Sequence, residues 1–357
     1  MTNLLKPLSI ISILLLISSC KDDKQLPENN DSAINSTIKK ETPSGMIFIP
    51  GGTYIMGSGE SYAENHEGPE VLVKVDPFYM DETEVTNAEF KKFVDETGYK
   101  TVSERPIDWE QIKKDLPEGT PKPHDSILQS GSLVFSPPNV SVNLNDYTQW
   151  WAWVTGADWK HPEGPQSSID GKDNHPVVQI AFEDAQAYAK WAGKRLPTEA
   201  EWEFASRGSD NNNQFVWGKE LTPQGTYLAN FFQGDFPYNN TKMDGFATSA
   251  PVKTYPENIF GLYDMIGNVW EWTTDWYRPD TKKMYLANGT KLCYNPKGPD
   301  SSYDPNDPFA TEKRVIKGGS FLCSDQYCSN YRSTSRMATS TDSGQNHLGF
   351  RCVKNIN

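Results

Sequence analysis

The chain has 357 residues, with 34 Lys and Arg against 47 Asp and Glu, for a formal charge of −13. So acidic a protein is excluded as a nucleic-acid binder, because phosphate backbones demand basic patches, and it favours cationic partners or bound metal ions. The 11 Trp, 16 Tyr and 16 Phe, beside 26 Gly and 25 Pro, predict a loop-rich core held by aromatic packing.

At the N-terminus, Lys6 precedes an apolar run, Leu8 to Ile17, that is too short to span a bilayer as a helix. The run ends in Ile17-Ser18-Ser19-Cys20, which resembles a bacterial lipoprotein cleavage box. Residues 1–19 are therefore expected to be a lipoprotein signal peptide, with Cys20 as the lipidation site and membrane attachment through the lipid. Lys21-Asp22-Asp23-Lys24 resembles the charged tags of surface-displayed lipoproteins. The expected location is thus the periplasmic face or the outer-membrane surface. Residues 20–43 are polar and read as a tether with no core of its own. Residues 44–357 carry neither a second linker nor a repeat, so one large domain is expected.

Along that domain, Met46 to Gly57 predicts two short strands around the Pro50-Gly51-Gly52 turn, and Val71–Val75 and Phe78–Met80 predict two more. Thr86-Asn87-Ala88-Glu89 is a capping box, with Phe90, Phe93 and Val94 on one helical face and Gly98 at the stop. From Glu104 to Asn145 the chain is charged and Pro-rich, and a surface excursion with little regular structure is expected. Aromatic density returns at Trp150-Trp151-Ala152-Trp153. His161 and His175 each precede proline and read as structural histidines. Ala185, Tyr188, Ala189 and Ala192 line one face of a helix before Gly193. A second capping box, Thr198-Glu199-Ala200-Glu201, starts a helix that Gly208 ends. With few short helices among strands and loops, the class is α+β with an irregular sheet.

The chemistry concentrates at Lys317-Gly318-Gly319-Ser320-Phe321-Leu322-Cys323-Ser324-Asp325-Gln326-Tyr327-Cys328, followed by Arg332, Arg336 and His347-Leu348-Gly349-Phe350-Arg351-Cys352. For Cys323 and Cys328 to meet, the chain must turn at Ser324-Asp325-Gln326, which are suitable turn residues. Two outcomes are then open, a disulfide or a two-thiolate clasp on a soft metal. In an exported protein the four cysteines beyond Cys20 would by default form two disulfides.

Over residues 44–353 the chain resembles the formylglycine-generating enzyme (sulfatase-modifying factor) family. The resemblance is carried by Gly51-Gly52-Thr53 to Met56-Gly57, Phe78-Tyr79-Met80-Asp81, Gly193-Lys194-Arg195-Leu196-Pro197-Thr198-Glu199-Ala200-Glu201-Trp202-Glu203, Gly267-Asn268-Val269-Trp270-Glu271-Trp272 and Gly318-Gly319-Ser320 to Arg351-Cys352. It implies a C-type-lectin-like fold with little regular secondary structure. It also implies oxidation, with O2, of one cysteine in a Cys-x-Pro-x-Arg segment of a sulfatase to formylglycine. Cys323 and Cys328 match the two thiolates that hold Cu(I), a pairing of soft metal with soft ligand. Ser320 and Trp270 match positions lining that site, Ser320 as a polar group near the O2 pocket. The clients implied are unfolded or nascent exported sulfatases. For Arg332 and Arg336 the resemblance suggests orientation of backbone or substrate, beside an equally open role in ion pairs.

The resemblance further implies two structural Ca²⁺ sites. One comprises Asp264, Gly267, Val269 and Glu271; the other comprises Asn230, Phe231, Asp244 and Phe246, with Phe231 and Phe246 giving carbonyls only. Both are hard-oxygen sets. Cys352 matches a disulfide-bonded cysteine of the vertebrate pattern, with Ser206 at the partner position, and Ser333 replaces a second such cysteine. Cys293 is then the one spare thiol, and Cys293 and Cys352 are expected to be either bridged, the favoured outcome, or both unpaired. Because the same fold serves several functions, two other readings stand beside the oxidase. One is a non-catalytic exported lipoprotein that uses the fold as a binding or structural platform. The other, a sulfoxide synthase, lacks the His-rich run it would need.

Overall fold

The computed structural model describes residues 42–356 apart from 116, 126–127, 211–212 and 308–309. The expected signal peptide, Cys20 and nearly all of the tether lie outside the described residues. Among the described residues, no helix is long and apolar enough to cross a membrane.

Strands β1 (Met46–Ile49) and β2 (Gly52–Met56) flank the Pro50-Gly51-Gly52 turn, and β3 (Val71–Val75) and β4 (Phe78–Asp81) follow. β1 and β2 do not pair with each other. β1 runs antiparallel to β4, with Met46 opposite Asp81, and β2 runs antiparallel to β3, with Tyr54 opposite Val73. The turn therefore passes the chain from one sheet to another. Gly51 permits this with φ +65°, where a Cβ would lie 2.5 Å from the Val75 carbonyl oxygen.

Helix α1 (Asn87–Thr97) begins at the expected capping box. Glu89 N donates to Thr86 Oγ1 at 3.3 Å, Thr86 N donates to Glu89 Oε2 at 2.9 Å, and Gly98 at φ 67° ends the helix. Next comes a single turn, α2 (Trp109–Ile112). The excursion is more regular than the sequence suggests. β5 (Gly131–Phe135) pairs antiparallel with β6 (Trp151–Thr155), Leu133 facing Trp153. This partner, across a 15-residue connection, and a parallel bridge from Leu133 to Gln345 make a strand of the Gly-Ser-Leu-Val-Phe segment. α3 (Phe182–Trp191) and α4 (Glu199–Arg207) are the two short helices expected, and α4 starts from the Thr198/Glu201 capping box.

A small hairpin, β7 (Gly234–Asp235) with β8 (Asn239–Asn240), precedes β9 (Trp270–Trp276), the buried strand of the sheet that positions the site. α5 (Thr281–Leu286) leads to β10 (Cys293–Tyr294), then β11 (Lys313–Lys317), β12 (Met337–Ser340), β13 (Leu348–Gly349) and β14 (Val353–Asn355). The four-stranded sheet has the order β12-β11-β9-β13, with β11 antiparallel to both neighbours and β13 parallel to β9. Lys317 opposes Glu271, and Leu348 opposes Trp270. The segments after β11, at the start of β9 and before β13 therefore meet at one end of the sheet.

The main core packs Phe90 against Trp159 at 5.3 Å between ring centres and Tyr188 against Phe350 at 5.3 Å, with Cys352 buried among them. Beside it lies a wholly buried ionic cluster. Glu199 accepts from Arg336 and faces Lys282 and Lys317, while Glu203 pairs with Arg207 and Lys317.

The expected Cys293–Cys352 bridge is corrected by the structure, in which both thiols are free. Cys352 N donates to Asp81 Oδ2 at the edge of the β1-β4-β14 sheet. Cys293 pairs with Val73 in the β10-β3-β2 sheet and turns its Sγ toward the Tyr285 carbonyl at 3.7 Å. Each cysteine is fixed by a different sheet. The pairing expected for Ser206 is corrected too. Its hydroxyl lies 2.7 Å from that of Ser333, so these two positions face each other.

Candidate active site

The strand β11 is followed by Gly318 and Gly319, both at positive φ. A Cβ on Gly319 would stand 2.9 Å from the Asn330 carbonyl oxygen, so a bare glycine is what lets the two backbone segments close on Ser320. From there two successive turns follow. Cys323 N donates to Ser320 O at 2.9 Å, and Cys328 N donates to Ser324 O at 3.0 Å, closing an α-turn through Asp325 and Gln326. This backbone brings Cys323 Sγ and Cys328 Sγ to 3.3 Å. A disulfide is about 2.05 Å long, so the sulfurs are in contact and unbonded.

The two thiols differ. Cys323 is buried in the main apolar cluster, and burial, then its hydrogen bond with Cys328, pushes its thiol well up. Cys328 is half-buried on the turn. The hydrogen bond from Cys323 holds its thiol down, against burial, aided by Asn330 Nδ2 at 3.0 Å and by the Arg332 charge. Of the two sulfurs, Cys328 is therefore the one whose proton is more readily lost. The pair's donor chemistry fits a soft cation such as Cu(I), with two sulfurs side by side.

Both sulfurs face a cavity of about 380 Å³. Trp150, Trp151, Phe236 and Tyr327 form its aromatic walls, and Ser320, Trp270 and His347 join the cysteines in its lining. Among the described residues, no Asp, Glu, Lys or Arg lines it. Trp150 meets Phe236 edge-on at 5.6 Å, and Phe236 stacks on Tyr327 at 4.9 Å. Trp270 is buried, and its N–H donates to the His347 carbonyl at 2.9 Å, so β9 and the approach to β13 hold each other at the cavity.

Sequence reasoning missed His347 and Asn330. His347 Nδ1 is 3.1 Å from Ser320 Oγ and its Nε2 is 2.8 Å from Gln345 Oε1. The local signal was a histidine embedded in the Asn-His-Leu-Gly-Phe-Arg-Cys run that carries the resemblance, whereas attention went to the pre-proline histidines. Those two do behave structurally, His161 bonding to the Ser167 carbonyl and His175 to the Ser249 hydroxyl. Arg332 and Arg336 stand outside the cavity lining. Arg332 is ion-paired with buried Glu67 and also donates to Ser329 O, while Arg336 binds Glu199 through Nε at 2.8 Å and the Arg278 carbonyl at 2.8 Å. Both are held in buried ion pairs, and Arg332 also ties down Ser329 just after the turn.

The two oxygen sets adjoin: Asn268 N donates to Asn230 O at 2.8 Å, and a Cβ on Gly267 would meet that same oxygen at 2.4 Å. Val269 is buried between them and Glu271 on the loop leading into β9. Asp264 Oδ1 is buried without a hydrogen-bond partner among the described residues, and burial pushes its carboxyl up to about 6. Glu271 accepts from Arg351 Nε and Nη2 at 2.7 Å each and from Trp202 Nε1 at 2.8 Å. An orphaned carboxylate oxygen is what a hard cation would satisfy, so Asp264 offers one ligand of the kind Ca²⁺ takes, while both Glu271 oxygens are already engaged. In the other set, Asp244 Oδ2 and the Phe231 carbonyl converge on the Gln233 amide nitrogen, Asp244 Oδ1 accepts from Phe246 N, and Asn230 donates to Thr248 O. A donor already fills that meeting point, so this set does not fit a cation in the arrangement described.

A domain family described as "Sulfatase-modifying factor enzyme 1-like domain" matches residues 32–356. The formylglycine-generating enzyme of Mycobacterium tuberculosis is 43% identical over 86% of this chain and 97% of its own length. That of Mus musculus is 40% identical over 94% of this chain and 82% of its own. A Mus musculus protein named inactive C-alpha-formylglycine-generating enzyme 2 is 34% identical over 86% of this chain and 85% of its own. Among solved structures, PvdO from Pseudomonas aeruginosa shares the fold, with a TM-score of 0.52 at 23% identity over 87% of this chain and 94% of its own. Motifs, fold and comparisons agree: the chain belongs to the sulfatase-modifying factor, or formylglycine-generating enzyme, family.

Proposed function

We propose that this protein is a copper-dependent oxidase that converts the cysteine of a sulfatase Cys-x-Pro-x-Arg segment to formylglycine with O2. An inactive relative shares the family, so membership alone does not carry the activity. The observation that carries it is the unbonded Cys323–Cys328 pair at the wall of an aromatic cavity. Cys323 and Cys328 would hold Cu(I), which when bound supplies the redox chemistry toward O2 that protein side chains lack. The chain's own residues do the rest. The aromatic walls exclude water and give an extended segment an apolar surface, which suits an unfolded client rather than a folded one. Trp270 backs the thiol pair, and Ser320 offers a polar contact to the bound segment.

The test is a synthetic Cys-x-Pro-x-Arg peptide incubated with reduced protein, Cu(I) and O2. One copper per chain and peptide mass converted to the aldehyde form support the oxidase. Reduced, copper-exposed protein that binds none and leaves the peptide untouched rejects it in favour of a binding platform. Lipidation at Cys20, which would bring the enzyme to exported clients at the membrane, belongs to the same proposal.

Structural calcium is proposed at Asp264, Gly267, Val269 and Glu271. A second ion at Asn230, Phe231, Asp244 and Phe246 requires the Gln233 amide to withdraw. A cation bound only by the folded state at a hundredfold excess over its Kd stabilises by about 2.7 kcal/mol. Chelation with EGTA is expected to lower Tm, and Ca²⁺ to restore it. An unchanged Tm together with no calcium by elemental analysis rejects the sites.

A further inference from the structure

Besides the two thiols and the phenols of Tyr147 and Tyr327, the described cavity lining holds one titratable side chain, His347, which the proposed chemistry does not use. Both of its ring nitrogens are engaged, so it is not poised as a metal ligand. We propose that His347 is a positioning residue that locks Ser320 as a hydrogen-bond acceptor facing the cavity.

A chain of hydrogen bonds reaches the ring from β12. Gln345 Nε2 lies 2.9 Å from Thr339 Oγ1, and its carbonyl oxygen lies 2.8 Å from His347 Nε2. An oxygen there demands that Nε2 carry the proton. Burial holds the ring neutral, its pKa pushed down to about 3. A neutral ring protonated at Nε2 has a bare Nδ1, and the Ser320 hydroxyl, 3.1 Å away, must donate to it. The Leu322 backbone N–H, 3.2 Å from Ser320 Oγ, takes one of the two lone pairs. One lone pair is left, on the side of Cys323 and the cavity. The ring cannot turn to release it, because Trp151 packs on it at 4.9 Å between ring centres and Trp270 N–H pins its backbone carbonyl.

The consequence is chemical. Ser320 can accept a hydrogen bond from a bound group and has no proton to offer one. The group seated against it is therefore a donor, either the thiol S–H or a backbone N–H of the client segment. An oxygen species, which needs donors, gains nothing there. This rests on the reading of the cavity as the site for a peptide thiol, but the hydrogen-bond polarity can be measured without any turnover.

The direct test is 15N NMR of histidine-labelled protein at neutral pH, with the His347 signals assigned by their loss in His347→Phe. A protonated Nε2 and a bare Nδ1 support the proposal. A protonated Nδ1 overturns it, since Ser320 would then be free to donate toward Cys323. The second arm uses the Cys-x-Pro-x-Arg peptide. His347→Phe is expected to lower kcat/KM about tenfold, the worth of one hydrogen bond. Ser320→Ala is then expected to cost little more in the His347→Phe background than that variant alone. Losses that simply multiply overturn the coupling. Wild-type protein that converts no peptide counts against the oxidase, and the NMR arm still decides the role of His347.

Discussion

Cys323→Ser and Cys328→Ser are each expected to reduce copper binding and aldehyde formation to background. A two-sulfur clasp has no redundancy, and a hydroxyl is a poor ligand for a soft ion. Their effects on stability should differ, because the two sites differ. Cys323 lies in the main core cluster, where an added hydroxyl without a matched partner costs about 1–3 kcal/mol. Cys328 sits half-buried on the turn, where a hydroxyl can still reach water, and should cost less. A plain disulfide between them predicts another pattern, with similar losses of Tm in both variants and no copper in the parent. Copper stoichiometry after gentle reduction, peptide conversion and Tm on the same three proteins separate the two. Full turnover in either variant sinks the clasp.

The second large effect lies in the buried ionic cluster. Glu199 has no exposed surface, and its carboxylate faces Arg336 Nε at 2.8 Å, Lys282 Nζ at 3.5 Å and Lys317 Nζ at 3.9 Å. Burial alone would raise its carboxyl, but Arg336, then Lys282 and Lys317, outweigh burial and hold it down at about 2. Lys282 is already strained the other way, burial pushing it to about 8. Glu199→Gln leaves these cations buried without their shared anion. Breaking such a site costs about 3–5 kcal/mol, whereas the exposed Lys91–Asp95 pair is worth about 0.3–0.5 kcal/mol. Urea unfolding of Glu199→Gln and Asp95→Asn should show that contrast, and equal losses would refute the role of Glu199.

The pH dependence has a defined sign. Glu199 is depressed in the fold, so its contribution is present above its ordinary value of 4.5 and is lost as pH falls toward 2. Asp275, raised to about 7 by burial and by Glu199, contributes stability below its ordinary 3.8 that is lost as pH rises through 7. Between them the metal-free protein should be most stable in mildly acidic solution. In Glu199→Gln the loss of stability on acidification toward pH 2 should shrink.

What the sequence by itself determined is what lies within a few residues of chain. The capping boxes at Thr86 and Thr198 are closed by bonds three residues apart, so the helix starts were legible. The turn between Cys323 and Cys328 was legible for the same reason, since Ser324, Asp325 and Gln326 carry its geometry locally. Tertiary structure decided the partners. β5 is a strand because β6 lies beside it and Leu133 bridges to Gln345. Arg332 and Arg336 found Glu67 and Glu199, which lie 265 and 137 residues away in the chain. Ser206 met Ser333 across 127 residues, and His347 met Ser320 across 27. Backbone preference acts over one turn, whereas the partner of a buried side chain is chosen by which surfaces pack together. A charge or hydroxyl carries no mark in sequence of the group that will satisfy it once water is excluded.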